Sequence, residues 1–348
     1  MKGNEIFLEA LRKDTEMWDA FTGKNENPNL VSSKYEGNDR QKIMVPAVSE
    51  YLTHHGYQVS YPDGKRFAIC LTHDVDDIYP PLSHKALSCL YSLISLDIPR
   101  LKQDLFWERK GRKSSPYLNF REIMDLERKY GAKSTFYFMT ALRDPVRFRY
   151  NIGEIKDELR EIVKSGWDVG LHGGYYSYDD PQAIQAEKDR LEKALGKEVI
   201  GYRNHYLRFK VPDTWAHLEK CGFLFDTTYG YTNTVGFRNG LCHPFRPFNP
   251  KTGNQMKIFE IPLHIMDGAL FDLTGNYQQA WQITENMIDR AANCSGILTV
   301  LWHNSVFNCP FRAKWKKIYE KILEYGQKKN AWMTSSTEIW GWWKEHGY

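Results

Sequence analysis

The 348-residue chain contains six cysteines, Cys70, Cys89, Cys221, Cys242, Cys294 and Cys309, and no two of them form a CxxC pair. That spacing makes no zinc knuckle and no secreted disulfide framework, so reduced thiols are expected. No apolar run approaches a membrane span, and the opening MKGNEIFLEALRKDTEMW lacks an apolar core of signal-peptide length. A cytoplasmic protein is expected. Charge of one sign is also scarce: 47 basic and 43 acidic residues leave a formal +4. Read as evenly spread, this argues against a nucleic-acid or membrane-surface patch. Fixed-period repeats and low-complexity tracts are absent as well. What remains is an ordinary globular composition, 42% hydrophobic and 26% charged, in a chain long enough for one large core.

Aromatic residues are plentiful at 14%, with 11 Trp and 21 Tyr, which suits a cleft that stacks on a ligand such as a sugar. Segments such as TEIWGWWKEHGY can equally bury aromatics for packing alone. Short apolar runs alternate with helical periodicity. Strands are expected at 67–72, 134–139, 167–171, 198–202, 223–226, 257–263, 296–302 and 331–335. Helices fall between them, such as NFREIMDLERKYG, whose Phe120, Ile123, Met124, Leu126 and Glu127 define one face and whose Gly131 stops it. Asp180 and Pro181 read as the N-cap and first turn of another. This alternation indicates a parallel sheet with crossover helices, closed into a barrel, with a doubly wound open sheet as the alternative. Residues 1–65 read as an N-terminal helical arm packed on the barrel, and 66–348 as the catalytic domain. An insertion at 78–118, with a helix KALSCLYSLISLD, is placed to roof the site.

Residues 70–79 read CLTHDVDDIY, placing His73, Asp74, Asp76 and Asp77 within five positions at the end of a buried strand. Carboxylates that close repel one another unless a cation, hydrogen bonds or a raised pKa relieves them. The other strands end similarly, in His172, in Arg203 and His205, in Asp226, in His264 and Asp267, and in His303. In a parallel barrel those positions share one rim, where active sites are built. Each has a bland reading taken singly: HDVDD as a helix cap and acidic turn, His172 as a hydrogen-bonded turn residue, Arg203 as a surface ion pair, His303 as a structural histidine. Asp226 and Asp267 could cap helices. His54, His55, His84, His217 and His243 lack strand-end placement. The joint pattern is what points to a metal-bearing pocket, with Tyr91, Phe106 and Trp107 of the insertion as candidate ligand contacts.

Across residues 66–340 this ordered set resembles the polysaccharide deacetylase family, the NodB-homology domain of carbohydrate esterase family four. THDVD matches its first motif, GLHGG the second, RNHY the third and LWH the last. The resemblance implies a distorted (β/α)7-type barrel, one divalent metal ion, most simply zinc, and hydrolysis of an acetyl group on a sugar. By position it implies Asp74 as general base, Asp76 and His172 as metal ligands, Arg203 as the group orienting Asp74, the Tyr206 N–H in an oxyanion hole and His303 as general acid.

The family's second motif usually carries another histidine four residues on, where this chain has Tyr176, and its third usually has proline where this chain has His205. His205 is therefore expected to complete an Asp76, His172, His205 ligand set, with His73 as a lesser candidate. His73, Asp77, Tyr176, Asp226, His264 and Asp267 are expected around this set or against substrate. The function expected is removal of an acetyl group from an N- or O-acetylated sugar during assembly of a bacterial surface polysaccharide, O-antigen or capsule. A metal-independent amidohydrolase on a small nitrogenous substrate and a non-catalytic glycan-binding barrel stay open.

Overall fold

FAICLTHDV has the composition of a strand covered on both faces, and it forms β1 (Phe67–Val75), buried at every position. In this computed structural model, residues 3–24, 26, 31, 33–142 and 150–348 are described. The strands after β1 are β2 (Thr135–Met139), β3 (Asp168–Gly173), β4 (Gly201–Asn204), β5 (Phe225–Asp226), β6 (Phe248–Asn249), β7 (Asn254–Gln255), β8 (Phe259–Glu260), β9 (Ile265–Met266), β10 (Ile297–Leu301) and β11 (Ala331–Thr334). The main sheet runs β8-β5-β4-β3-β2-β1-β10-β9, with β11 also on β1. All its strand pairings are parallel, whereas the small β6–β7 hairpin and a single bridge from Phe245 to Glu260 of β8 are antiparallel.

One short segment curls this sheet into the expected distorted barrel rather than an open doubly wound sheet. β8 lies on β5 and β9 lies on β10. The chain between them steps across by backbone bonds from Ile261 N to Asp226 O, from Leu263 N to Tyr229 O and from His264 N to Thr299 O. The strand expected over 257–263 is therefore shortened to Phe259–Glu260, and a second short strand follows at Ile265–Met266, because one segment serves both edges. β1 is shared as well: Phe67–Cys70 pair with β11, and Thr72–Val75 pair with β2. Asp74 consequently sits in the part of β1 next to β2, above the β11 wedge.

Helices cover the barrel where the periodicity places them. Pro181–Leu195 starts with the Asp180 carboxylate accepting from the N–H groups of Gln182 and Ala183, and ends at Gly196, whose φ of 72° is left-handed. Phe120–Arg128 buries Phe120, Ile123, Met124 and Glu127. The apolar members of such faces each contribute about 1.5–3 kcal/mol by leaving water. From the N-terminal segment, Phe7, Leu11, Phe21, Val48 and Leu52 join the same core as the barrel strands. Glu26 is tied to Arg238 at 2.6 Å.

The segment after β1 forms helices Leu82–Ile94 and Ile98–Phe106. Its two ends are drawn together: Ser115 donates to Ile78 O at 2.6 Å, and the Asn304 amide donates to the carbonyls of Asp77 and Tyr117, each at 2.9 Å. It thus stands beside the C-terminal end of β10.

Candidate active site

The C-terminal ends of β1, β3, β4, β9 and β10 surround a cavity of about 230 Å3 lined by Asp74, Asp76, His172, His205, Tyr206, Leu207, Thr232, Met266, Gly268 and His303. Side chains alternate along β1, so Asp74 and Asp76 share the cavity side while His73 faces the opposite way. Asp74 Oδ1 accepts from Arg203 Nη1 at 3.1 Å, and the same nitrogen reaches Thr72 Oγ1 at 2.7 Å. Arg203 Nε donates to Thr227 O at 3.1 Å, and the guanidinium lies 4.8 Å over the Tyr137 ring. A fully buried arginine so fixed holds the Asp74 carboxylate in one orientation.

Asp76 sits among three imidazoles: its Oδ1 is 3.3 Å from His172 Nε2, and its Oδ2 is 3.8 Å from His205 Nε2 and 3.7 Å from His303 Nε2. Burial pushes its carboxyl upward, but the surrounding histidines, His205 first, outweigh this and hold it well below the usual range. No well-directed hydrogen bond reaches Oδ1. His172 Nδ1 bonds the Arg203 carbonyl at 3.0 Å, which makes Nδ1 the donor and leaves the Nε2 lone pair facing Asp76. Donor atoms of Asp76, His172 and His205 all lie within 4.8 Å of one another, and this trio could hold a metal ion. One carboxylate and two imidazoles suit zinc or a similar divalent ion with positions left open.

His303 completes the rim. Its Nδ1 donates to Asp267 Oδ1 at 2.8 Å, and its backbone N–H donates to Asp267 Oδ2 at 2.8 Å. Burial disfavours the imidazolium, but the Asp267 charge and hydrogen bond, with help from Asp76 and Asp74, push its pKa up to about 10. With Nδ1 occupied, Nε2 is the atom presented to the cavity. Tyr206 has a left-handed backbone, φ 57°, as does Leu207 at φ 50°. Two consecutive non-glycine residues in that region store strain of a kind found at functional sites. Ser33 Oγ, donating to Leu207 O, steadies the turn.

The other expected residues lie away from the cavity. His73 is fully buried against helix Phe120–Arg128, with Nδ1 on Trp302 O and Nε2 on Glu127. Asp77 is buried where the insertion departs, its carbonyl held by Asn304. Tyr176 is 61% exposed, packed in a T-shape on Tyr175 beside Arg208. His264 accepts from Thr299 N at Nδ1 and donates from Nε2 to Leu241 O, and burial takes its pKa down to about 4. Asp226 lies behind Arg203 beside Glu260. Burial drives Glu260 well above the usual carboxylate range and Asp226 upward too, consistent with one shared proton. Tyr91 and Phe106 are exposed, and Trp107 stacks on Tyr79; none of them, nor any other residue of 78–118, lines the cavity.

Sequence reasoning overlooked Glu260, although an acid inside the apolar run KIFEIPL was a usable signal. Tyr137 carried none, since tyrosine is an ordinary strand residue, and Thr232 lies in a loop with no motif around it.

No family model matches the sequence, and no curated protein matches it. Solved structures do. A putative polysaccharide deacetylase from Mycobacterium smegmatis aligns at TM-score 0.52 and 18% identity, over 82% of this chain and 92% of its own. A probable polysaccharide deacetylase from Pseudomonas aeruginosa PAO1 aligns at TM-score 0.55 and 15% identity, over 85% and 97%. The PuuE allantoinase aligns at TM-score 0.56 and 16% identity, over 83% and 94%. Barrel, closure and strand-end site together give the chain the polysaccharide deacetylase fold.

Proposed function

We propose that the protein is a metal-dependent hydrolase that removes an acetyl group from an N- or O-acetylated sugar. The observation that carries this reading is the meeting in one cavity of an arginine-held carboxylate, an Asp-His-His donor set and an aspartate-held histidine. Asp76, His172 and His205 would hold the ion. Zinc, when bound, would supply an acidified water and Lewis-acid polarisation of the acetyl carbonyl.

The chain's own groups supply the proton transfers. Asp74, kept in one orientation by Arg203, takes the proton of the attacking water. The Tyr206 N–H donates to the oxyanion that develops on the acetyl oxygen, a preorganised contribution of about 3–4 kcal/mol. His303 carries a proton because Asp267 favours its charged form, and Nε2 delivers it to the departing sugar nitrogen or oxygen. Base and acid thus stand in opposite protonation states. Assembly of a bacterial surface polysaccharide, O-antigen or capsule, is where such a deacetylation would serve, and two of the similar structures carry the description of a putative or probable polysaccharide deacetylase.

The test is acetate release from N-acetylated and O-acetylated sugars, read together with metal content. Wild type should carry one zinc-like ion and release acetate, Asp74→Asn should keep the ion and lose turnover, and His172→Ala and His205→Ala should lose both. Unchanged metal content in His205→Ala would remove it from the ligand set. The likeness to an allantoinase favours a second reading, amide hydrolysis on a small nitrogenous substrate. Turnover of allantoin by protein that takes up no zinc, cobalt or nickel would put it first.

A further inference from the structure

The two helices of the insertion are packed inside out. Ser88 (7%), Ser92 (1%) and Asp104 (3%) are buried, Asp104 against Arg100 at 3.2 Å, while Leu90 (54%), Leu93 (53%), Ile94 (74%) and Leu96 (79%) face outward. Leu82, Leu87, Tyr91, Ile98, Leu105 and Phe106 are exposed with them. No apolar side chain of residues 82–106 belongs to the main core. In water this arrangement is costly, since exposed aliphatic side chains gain when they leave solvent and buried serines gain little. In lipid it is the favoured one: helices join through small and polar residues and turn leucines outward.

The charge accompanying this face selects its occupant. Residues 78–118 hold seven Lys/Arg and three Asp/Glu, an excess equal to that of the whole chain, so the remainder is neutral. Lys102, Arg109 and Lys110 are exposed, and RKGRK at 109–113 begins three residues past the end of the second helix. Basic groups beside an exposed apolar helix fit an anionic bilayer surface, each worth about 1 kcal/mol near it. A second copy docking symmetrically would set these like charges against each other. Helices of 13 and 9 residues rise only about 20 and 14 Å, short of the roughly 30 Å hydrocarbon core, so the pair fits one leaflet without crossing.

We infer that the helical pair 82–106 is a monotopic anchor that seats in one leaflet of an anionic bilayer. The segment begins two residues after Asp76, just past the end of β1, and is pinned by Asn304, next to His303, so the anchor and the cavity share one end of the barrel. Resting on the deacetylase reading, that placement makes a lipid-carried acetylated sugar the fitting substrate.

The experiment is co-sedimentation of the whole chain with vesicles of phosphatidylcholine alone and of equal parts phosphatidylcholine and phosphatidylglycerol, beside its mass in solution. Wild type should pellet with the mixed vesicles and be released by salt. The variant Leu90→Ser/Leu93→Ser/Ile94→Ser should bind at least about tenfold more weakly. Lys102→Glu/Lys110→Glu/Lys113→Glu should lose the preference for the anionic vesicles. Wild type left in the supernatant would overturn the inference. A wild-type dimer split by the serine variant, with no vesicle binding, would assign the face to a second copy instead. Pelleting without acetate release from any acetylated sugar would remove the deacetylase reading and leave the anchor standing.

Discussion

Two histidine–carboxylate pairs flank the same region of the barrel, and only one of them faces a cavity. His73 Nε2 meets Glu127 Oε1 at 2.8 Å with both side chains fully buried. Glu127 also accepts from Ser134 at 2.9 Å, Trp167 Nε1 at 2.5 Å and Tyr319 at 2.5 Å. Every polar atom there is engaged and nothing opens to solvent. His303 meets Asp267 at the same 2.8 Å, yet its side chain stays 23% exposed and its Nε2 looks into a cavity. The same pair of residue types is therefore a strut where it is saturated, and it is the proton donor of the proposed reaction where one ring nitrogen is left facing a cavity.

The comparison breaks first at Asp267. Asp267→Asn removes the charge that favours the His303 imidazolium, and kcat for acetate release should fall by about 10²–10⁴-fold while the urea midpoint moves little. A large loss of stability with kcat per folded molecule retained would make this pair a second strut.

The reciprocal change is Glu127→Ala. It strands His73, Trp167 and Tyr319 in the interior, and breaking a buried pair of this kind costs about 3–5 kcal/mol of stability. Denaturant unfolding should show that loss, and the folded fraction should keep its kcat, because Glu127 touches nothing in the cavity. A rate loss with intact stability would instead tie the network to His303 through the His73–Trp302 bond.

These pairs also mark how far the sequence could be read. The strand-end pattern located Asp74, Asp76, His172, Arg203, His205 and His303 because a parallel barrel puts strand ends on one rim. Glu127 was legible as part of a buried helix face, but its partners were not, since His73, Trp167 and Tyr319 come from three distant segments. Strand boundaries drifted where pairing rather than propensity decides them: 198–202 became Gly201–Asn204, which puts Arg203 inside β4. The hairpin β6–β7 had no apolar alternation to announce it. The outward face of the insertion was the least legible, because counting charge over the whole chain hid the RKGRK run and because helix periodicity does not say which face water sees.

Smaller effects come from the buried neutral histidines His243 and His264, both with pKa lowered by burial from 6.5 to about 4. Unfolded chains bind these protons near pH 6.5 and the folded protein does not until about pH 4. Their contribution is therefore complete above pH 6.5 and is lost as pH falls toward 4. Each should cost on the order of 1–2 kcal/mol by pH 5. Urea midpoints at pH 7 and pH 5 check this, and an unchanged midpoint would mean that at least one ring is protonated in the folded state.

The smallest expected effect concerns position 176, where relatives of this fold are expected to carry a second metal-binding histidine. Tyr176 is 61% exposed and does not line the cavity, whereas His205 Nε2 lies 3.8 Å from Asp76. Tyr176→His should therefore shift stability by no more than about 0.5 kcal/mol and leave metal content unchanged. The sharper form is the double variant His205→Ala/Tyr176→His, which should stay as metal-poor as His205→Ala alone. Packing of residues 175 and 176 around Arg208 holds the backbone there with the ring turned outward. Recovery of a full ion in the double variant would mean that this loop can swing inward, and that His205 and a histidine at 176 are alternative donors to one site.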